Sequence, residues 1–499
     1  MRQIHKITCA AVLASFGSLL TAADIPQHPS QIEFEALDFT PPSPEDFRHE
    51  LSSGIPVYMA ASDEFPLVTI TLSFKGGAYM EPEGKAGLAA MMGQMVRTGG
   101  SSMMAPNDLD EEFDFLAADV SVGVGGRSAS ASIDTLTSNL DRSFELFMDM
   151  LRNPRFDQAR LEVLRGQALE GLKSRDDNGL GIAMREFGFL MWGEDHFESR
   201  QPTKQSLESI TTDDLREFHK KIFNPANLMV AVTGDFEEGE MIAFLEEQFS
   251  GWETGQEAPE VPAPTHTFKP GVYYYEKDQP QVQVLVGHRS LTRDDPDAIP
   301  AEVMNQILGG SGFTSRITNS VRTREGLAYT AGSFMQSRIE YPGIFASYFF
   351  TKVPTTALAT RLVFDEFETI QNEPVTTEEL ETIQNSLIET FPRNFESKSS
   401  TMRLFISDER SDRPEGYWQN YRENVRNVDP EAVQQAANEF LHPDDAVILI
   451  VGPWDEIKKG NSESEADPSR VATMEEFFNG TANKLPKRDP ESLEPIEAE

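Results

Sequence analysis

Hydrophobic positions recur along this chain in two matched sets. Residues 68–74, Val-Thr-Ile-Thr-Leu-Ser-Phe, alternate apolar and small polar positions, the period of a strand with one buried face. Residues 282–288, Val-Gln-Val-Leu-Val-Gly-His, repeat the pattern. The apolar runs 229–234, Met-Val-Ala-Val-Thr-Gly, and 448–452, Ile-Leu-Ile-Val-Gly, read as a closing strand for each set. Val68 and Val282 are 214 positions apart, and Gly234 and Gly452 are 218 apart. A nearly constant offset predicts a duplicated domain.

Helix signals fall between the strands. Thr211-Thr-Asp-Asp214 has capping-box spacing, and Leu215, Phe218 and Ile222 follow on one face. Thr376-Thr-Glu-Glu379 repeats that start in the second set. Asp429-Pro430 places an N-cap before a proline at the first helical position, and Val433, Ala436, Ala437, Phe440 and Leu441 then share a face. Strands and amphipathic helices in this order predict an α+β fold: two homologous α/β-layered domains, each a largely antiparallel sheet covered by helices on one face. The expected boundaries are 24–253 and 271–455. Residues 254–270, with Pro259, Pro262, Pro264 and Pro270, read as a linker. Residues 456–499 read as an acidic, mostly flexible tail, with 474–478 as a short docked helix.

The 499 residues, 39% hydrophobic and 25% charged, suit a soluble globular protein. Residues 1–23 combine a basic start (Arg2, Lys6), a short apolar run and Thr-Ala-Ala, the pattern of a secretory signal peptide, and predict a periplasmic or secreted protein. No other segment is apolar for long enough to span a bilayer. Cys9, the sole cysteine, lies within that signal, so the mature chain has neither disulfides nor cysteine chemistry. A net charge of −39 repels phosphate backbones and argues against nucleic acid or an anionic membrane as a partner.

The chemistry turns on residues 87–94, Gly-Leu-Ala-Ala-Met-Met-Gly-Gln. The segment resembles the zinc-binding helix of the insulinase/pitrilysin-like metallopeptidases, in which Gly-Leu-Ala precedes His-x-x-Glu-His. Here Ala90, Gly93 and Gln94 occupy the two zinc-ligand positions and that of the general base. Alanine and glycine offer no ligand, and an amide carbonyl is a poor substitute for imidazole. The likeness extends through residues 107–116, 120–126, 151–156 and 209–236, and is most specific at 308–316 and 322–329. Glu170, 76 positions beyond Gln94, stands near the place where the resemblance implies a third zinc ligand, but one carboxylate does not hold zinc. The eight histidines supply no replacement, since none lie three to five residues apart. The segment Gly309-Gly-Ser-Gly312 lacks the Lys-Ser/Thr of a phosphate loop and reads as a turn that needs close backbone approach.

Arg322 and Tyr329 keep the seven-residue spacing that the resemblance associates with holding a substrate backbone near the zinc. A guanidinium donates to peptide carbonyls, and a phenol can donate to a developing oxyanion. The bland alternative is an arginine in a surface ion pair and a tyrosine in the core. Together these features imply a non-catalytic, substrate-binding subunit of a two-chain zinc peptidase. A homologous partner bearing His-x-x-Glu-His would supply zinc and base, and unfolded peptides would be the substrates. The alternative is a non-proteolytic peptide-binding or structural protein of the same fold, as a homodimer.

Overall fold

Two six-stranded sheets with the same internal strand order carry the chain in the computed structural model, which describes residues 38–461, 470–477 and 481–496. The first sheet contains β1 (Arg48–Glu50), β2 (Pro56–Ala61), β3 (Leu67–Lys75), β4 (Asp119–Val124), β5 (Ser128–Leu136) and β6 (Leu228–Gly234), in the order β1-β2-β6-β3-β5-β4. The second contains β7 (Gly271–Glu276), β8 (Gln281–Arg289), β9 (Ala328–Gln336), β10 (Ile344–Lys352), β11 (Val447–Gly452) and β12 (Asn483–Lys484), in the order β12-β7-β11-β8-β10-β9. β2 and β6 pair in parallel, as do β7 and β11, while the strands from there to β4 and to β9 are antiparallel. The duplication read from the strand offsets is therefore visible in the topology.

Local rules account for most elements. In β3, Val68, Ile70, Leu72 and Phe74 are fully buried and face the first core. Thr211 and Asp214 form the expected reciprocal cap, as do Thr376 and Glu379, and Asp429 accepts the Ala432 amide ahead of its helix. Leu88, Met91, Met92 and Met95 bury one side of the helix Leu88–Thr98 in the same core.

Each sheet also receives a helix from the other half on its second face. The helix Gly179–Trp192 precedes the Pro-rich segment, yet Ile182, Ala183, Phe187, Met191 and Trp192 pack against Tyr275, Leu285, Val447, Leu449 and Val451 of the second sheet. Phe187 presses so close to β8 that a Cβ on Gly287 would lie 2.9 Å from its Cζ. Reciprocally, the helix Lys398–Arg410 lays Met402, Phe405 and Ile406 on Tyr58, Ala60 and Ala231 of the first sheet. Glu409 at its end accepts from the Tyr58 hydroxyl (2.5 Å) and from Arg48 (2.9 Å to each oxygen). The two helices begin 219 positions apart, in keeping with the repeat. Residues 253–270 carry no regular element between them.

The described parts of the tail are docked, because a few anchoring side chains outweigh an acidic, solvated composition. Met474, in the short turn Met474–Phe477, is fully buried. β12 extends the second sheet beside β7. The buried Arg488 places Nη2 2.6 Å from Glu194 and its guanidinium 5.2 Å from the Phe189 ring centroid. The signal-peptide reading at 1–23, with Cys9, lies outside the described residues. Among the described residues, no helix is long and apolar enough to cross a membrane.

Candidate functional site

The helix Leu88–Thr98 is held firmly at its start. Gly87 adopts a positive φ of 96°, and the buried Glu81 carboxylate accepts the amides of Gly87 (3.1 Å) and Ala89 (2.8 Å) while Arg200 pairs with it at 3.0 Å. Burial is the largest influence on Glu81 and pushes its pKa up, against these donors. Ala90 and Gln94 sit one turn apart and are exposed, so the two positions that the resemblance aligns with zinc ligands share an open face. Gly93 is buried. A Cβ there would stand 3.1 Å from both Cγ2 and the backbone nitrogen of Val124 in the edge strand β4. The position that the resemblance assigns to the general base thus lacks a carboxylate, and β4 bounds it so closely that the strand would have to give by a few tenths of an ångström to admit a side chain.

Glu170 lies exposed on the helix Gln158–Lys173, tied to Lys173 at 2.7 Å. Among the described residues, no three His, Cys, Asp or Glu side chains converge on a possible metal position. A methyl group, a glycine wedged against a strand, an amide and a paired surface carboxylate do not fit a zinc ion.

Arg322 and Tyr329 come together directly. Arg322 lies in the π-helical turn Thr318–Arg324, and Tyr329 near the start of the edge strand β9. The Arg322 guanidinium carbon is 4.7 Å from the Tyr329 ring centroid and 4.5 Å from that of Phe313. Both rings are open to solvent, Tyr329 at 77% and Phe313 at 68% of full exposure. The alternative of a core tyrosine is thereby set aside, and no carboxylate pairs with Arg322 among the described residues. Phe313 is the residue that sequence reasoning missed. Its one visible signal was a large aromatic directly after a glycine turn.

That turn is built by the close approach expected of it. A Cβ on Gly309 would meet the Ser333 backbone nitrogen of β9 at 2.5 Å, and one on Gly332 would meet the Gly309 carbonyl at 2.9 Å. Gly312 has a φ of +65° and delivers Phe313.

The sequence also did not pair the histidines. His288 and His442 meet with ring centroids 5.2 Å apart and planes tilted at 58°. His288 Nδ1 donates to the Arg289 carbonyl at 2.8 Å, leaving Nε2 to accept the His442 amide at 3.1 Å. Burial pushes the His288 pKa down to about 4, so the ring is held neutral. His219 is likewise lowered to about 4 by burial and donates to the Leu151 carbonyl. His196 bonds the Pro262 carbonyl, among Trp192, Phe197 and Tyr341. These are structural roles.

Comparison with known proteins places the fold in one family. Residues 57–180 match Insulinase (Peptidase family M16), and residues 209–387 match the Peptidase M16 inactive domain. The chain is 25% identical to the Non-peptidase homolog YmxG of Helicobacter pylori over 351 residues, 70% of this chain and 80% of that protein. A peptidase M16 inactive domain from Pseudomonas fluorescens superposes with a TM-score of 0.72 at 23% identity, covering 81% of this chain and 97% of the other. A protease from Helicobacter pylori superposes with a TM-score of 0.70 at 17% identity, covering 83% and 100%. The chain belongs to the insulinase (M16) peptidase family, as a member without a peptidase centre of its own.

Proposed function

We propose that this chain is the substrate-binding subunit of an exported two-chain zinc peptidase, in which a homologous partner bearing His-x-x-Glu-His supplies zinc and general base. The observation that carries this reading is an asymmetry. The helix that resembles the zinc-binding one is packed into the core but carries no ligand or base, whereas the half-buried Arg322 and the exposed Tyr329 stand together, with no hydrogen bond or ion pair to their side chains among the described residues. Selection for packing alone would not favour an open arginine–tyrosine pair. In the assembled enzyme Arg322 would donate to a backbone carbonyl of an unfolded peptide and Tyr329 to the oxyanion, holding the bond to be cleaved before the partner's chemistry begins. The basic, apolar and small-residue pattern of residues 1–23 supports an extracytoplasmic location.

The test is co-expression with a homologous zinc-bearing chain, followed by co-purification and peptide-cleavage assays. Arg322→Ala and Tyr329→Phe are expected to lower cleavage by roughly 100-fold or more without separating the chains. Unchanged cleavage would sink the reading. A homodimer that binds peptide and recruits no zinc-bearing chain would instead favour a non-proteolytic peptide-binding protein, consistent with the name carried by the Helicobacter relative.

A further inference from the structure

We propose that Phe313 is the third member of the clasp: a positioning residue that orients Arg322 and supplies an apolar wall, so that the site prefers peptide segments carrying a large apolar side chain beside the carbonyl that Arg322 takes. This inference rests on the reading that Arg322 and Tyr329 engage peptide. Its own basis is the geometry around the guanidinium.

Two aromatic rings share one cation. Arg322 is within 5 Å of both centroids, and among the described residues no carboxylate competes for it. A guanidinium lying over rings offers its N–H edge rather than its faces, and an in-plane acceptor such as a peptide carbonyl fits that edge. Single exposed apolar residues are ordinary on a protein surface. Here, however, Phe313 and Tyr329 are both more than two-thirds exposed and converge on the same charge, leaving ring surface free on either side of a hydrogen-bonding edge.

The placement of Phe313 is built in. Within its turn, the Ser311 and Thr314 hydroxyls bond at 2.8 Å, and Ser315 Oγ donates to the Gly312 carbonyl at 2.7 Å. The same Ser315 hydroxyl lies 2.9 Å from Thr318 Oγ1, which in turn donates to the Ala331 carbonyl of β9 at 2.9 Å. Ser315 and Thr318 are buried. The buried Ser315–Thr318–Ala331 bonds tie together the three segments that carry Phe313, Arg322 and Tyr329. The Phe313 ring itself buries little, so the turn spends its rigidity on presenting that ring to solvent.

The test uses the full chain and two fluorescein-labelled unstructured peptides, one with a central Leu-Phe pair and one with Ser-Ser in its place, titrated by fluorescence anisotropy. The wild type is expected to bind the Leu-Phe peptide about tenfold more tightly than the Ser-Ser peptide. Phe313→Ala should bring the two affinities within about twofold of each other, with the melting temperature unchanged, and Phe313→Tyr should restore the preference. A Phe313→Ala variant that keeps the wild-type preference overturns the proposal while leaving the Arg322–Tyr329 reading intact. If Arg322→Ala leaves both affinities at the wild-type value, or the wild type binds neither peptide, the underlying reading fails and the proposal falls with it.

Discussion

The Arg322 guanidinium lies 4.7 Å from the centre of the Tyr329 ring, across a turn and the first residues of an edge strand. Seven positions in sequence thus become direct contact in space. Because Tyr329 is largely exposed, its removal costs little packing. Tyr329→Ala is expected to change unfolding free energy by no more than about 0.5 kcal/mol. Arg322→Lys should weaken peptide binding about tenfold, since an ammonium lacks the planar, multi-donor edge. Thermal melts and anisotropy titrations on the same preparations separate the two effects.

Restoring the motif letters should not restore the metal site. In the triple variant Ala90→His, Gly93→Glu, Gln94→His, the Cβ of the new glutamate would stand 3.1 Å from Val124, so β4 must give by a few tenths of an ångström to admit it. Overpacking of this kind typically costs 1–3 kcal/mol, about 2 kcal/mol here, and adds the burden of a poorly solvated carboxylate. Urea unfolding should show the loss, and elemental analysis after dialysis should find less than stoichiometric zinc. A stable variant that retains one zinc per chain would show that β4 gives way at Gly93 without cost.

The exchanged helix of the second half should control the stability of the first sheet. Phe405 is almost fully buried against Tyr58 and Phe47, with centroids 5.9 Å from each. Phe405→Ala is expected to cost about 3–5 kcal/mol through the cavity it leaves. Hydrogen exchange should report the loosening in β2 and β6, more than 160 residues earlier in the chain. Loosening confined to residues beyond 271 would argue against the exchange.

Stability should decline below neutral pH before most carboxylates titrate. His219 and His288 have folded pKa values lowered to about 4, against 6.5 when unfolded. Above 6.5 both states are neutral and the contribution is intact. As pH falls from 6.5 towards 4 the unfolded chain takes up protons that the folded chain refuses, and stability drops, on the order of 3 kcal/mol for each histidine. Denaturant midpoints measured from pH 7.5 to 4 should trace this loss. A flat profile across that window would exclude buried neutral rings.

Local features were legible in the sequence, and features that depend on a distant wall were not. The caps at Thr211, Thr376 and Asp429 and the alternation in β3 follow from short-range chemistry, and they appear where the residues place them. That Ala90, Gly93 and Gln94 offer neither zinc donor nor base was legible, but the close approach of Val124 to Gly93 was not, because β4 reaches Gly93 through tertiary packing. The helix Gly179–Trp192 is apolar nearly all round, a sign of burial on more than one side. Periodicity cannot say that the second wall belongs to a sheet formed a hundred residues later. Likewise, His288 and His442 are 154 positions apart, and nothing in their neighbourhoods announces their contact.

The reciprocal helices also change what the segment 254–270 is for. A connector between two independent bodies bears the whole task of keeping them together. Here that task is met by Phe187 against β8 and Phe405 against β2, so the covalent connection is redundant once the chain has folded. A protease that nicks the connector would leave two fragments clasped as one particle, separable only by unfolding both. The two halves repeat one topology but not its autonomy: each is the other's missing layer.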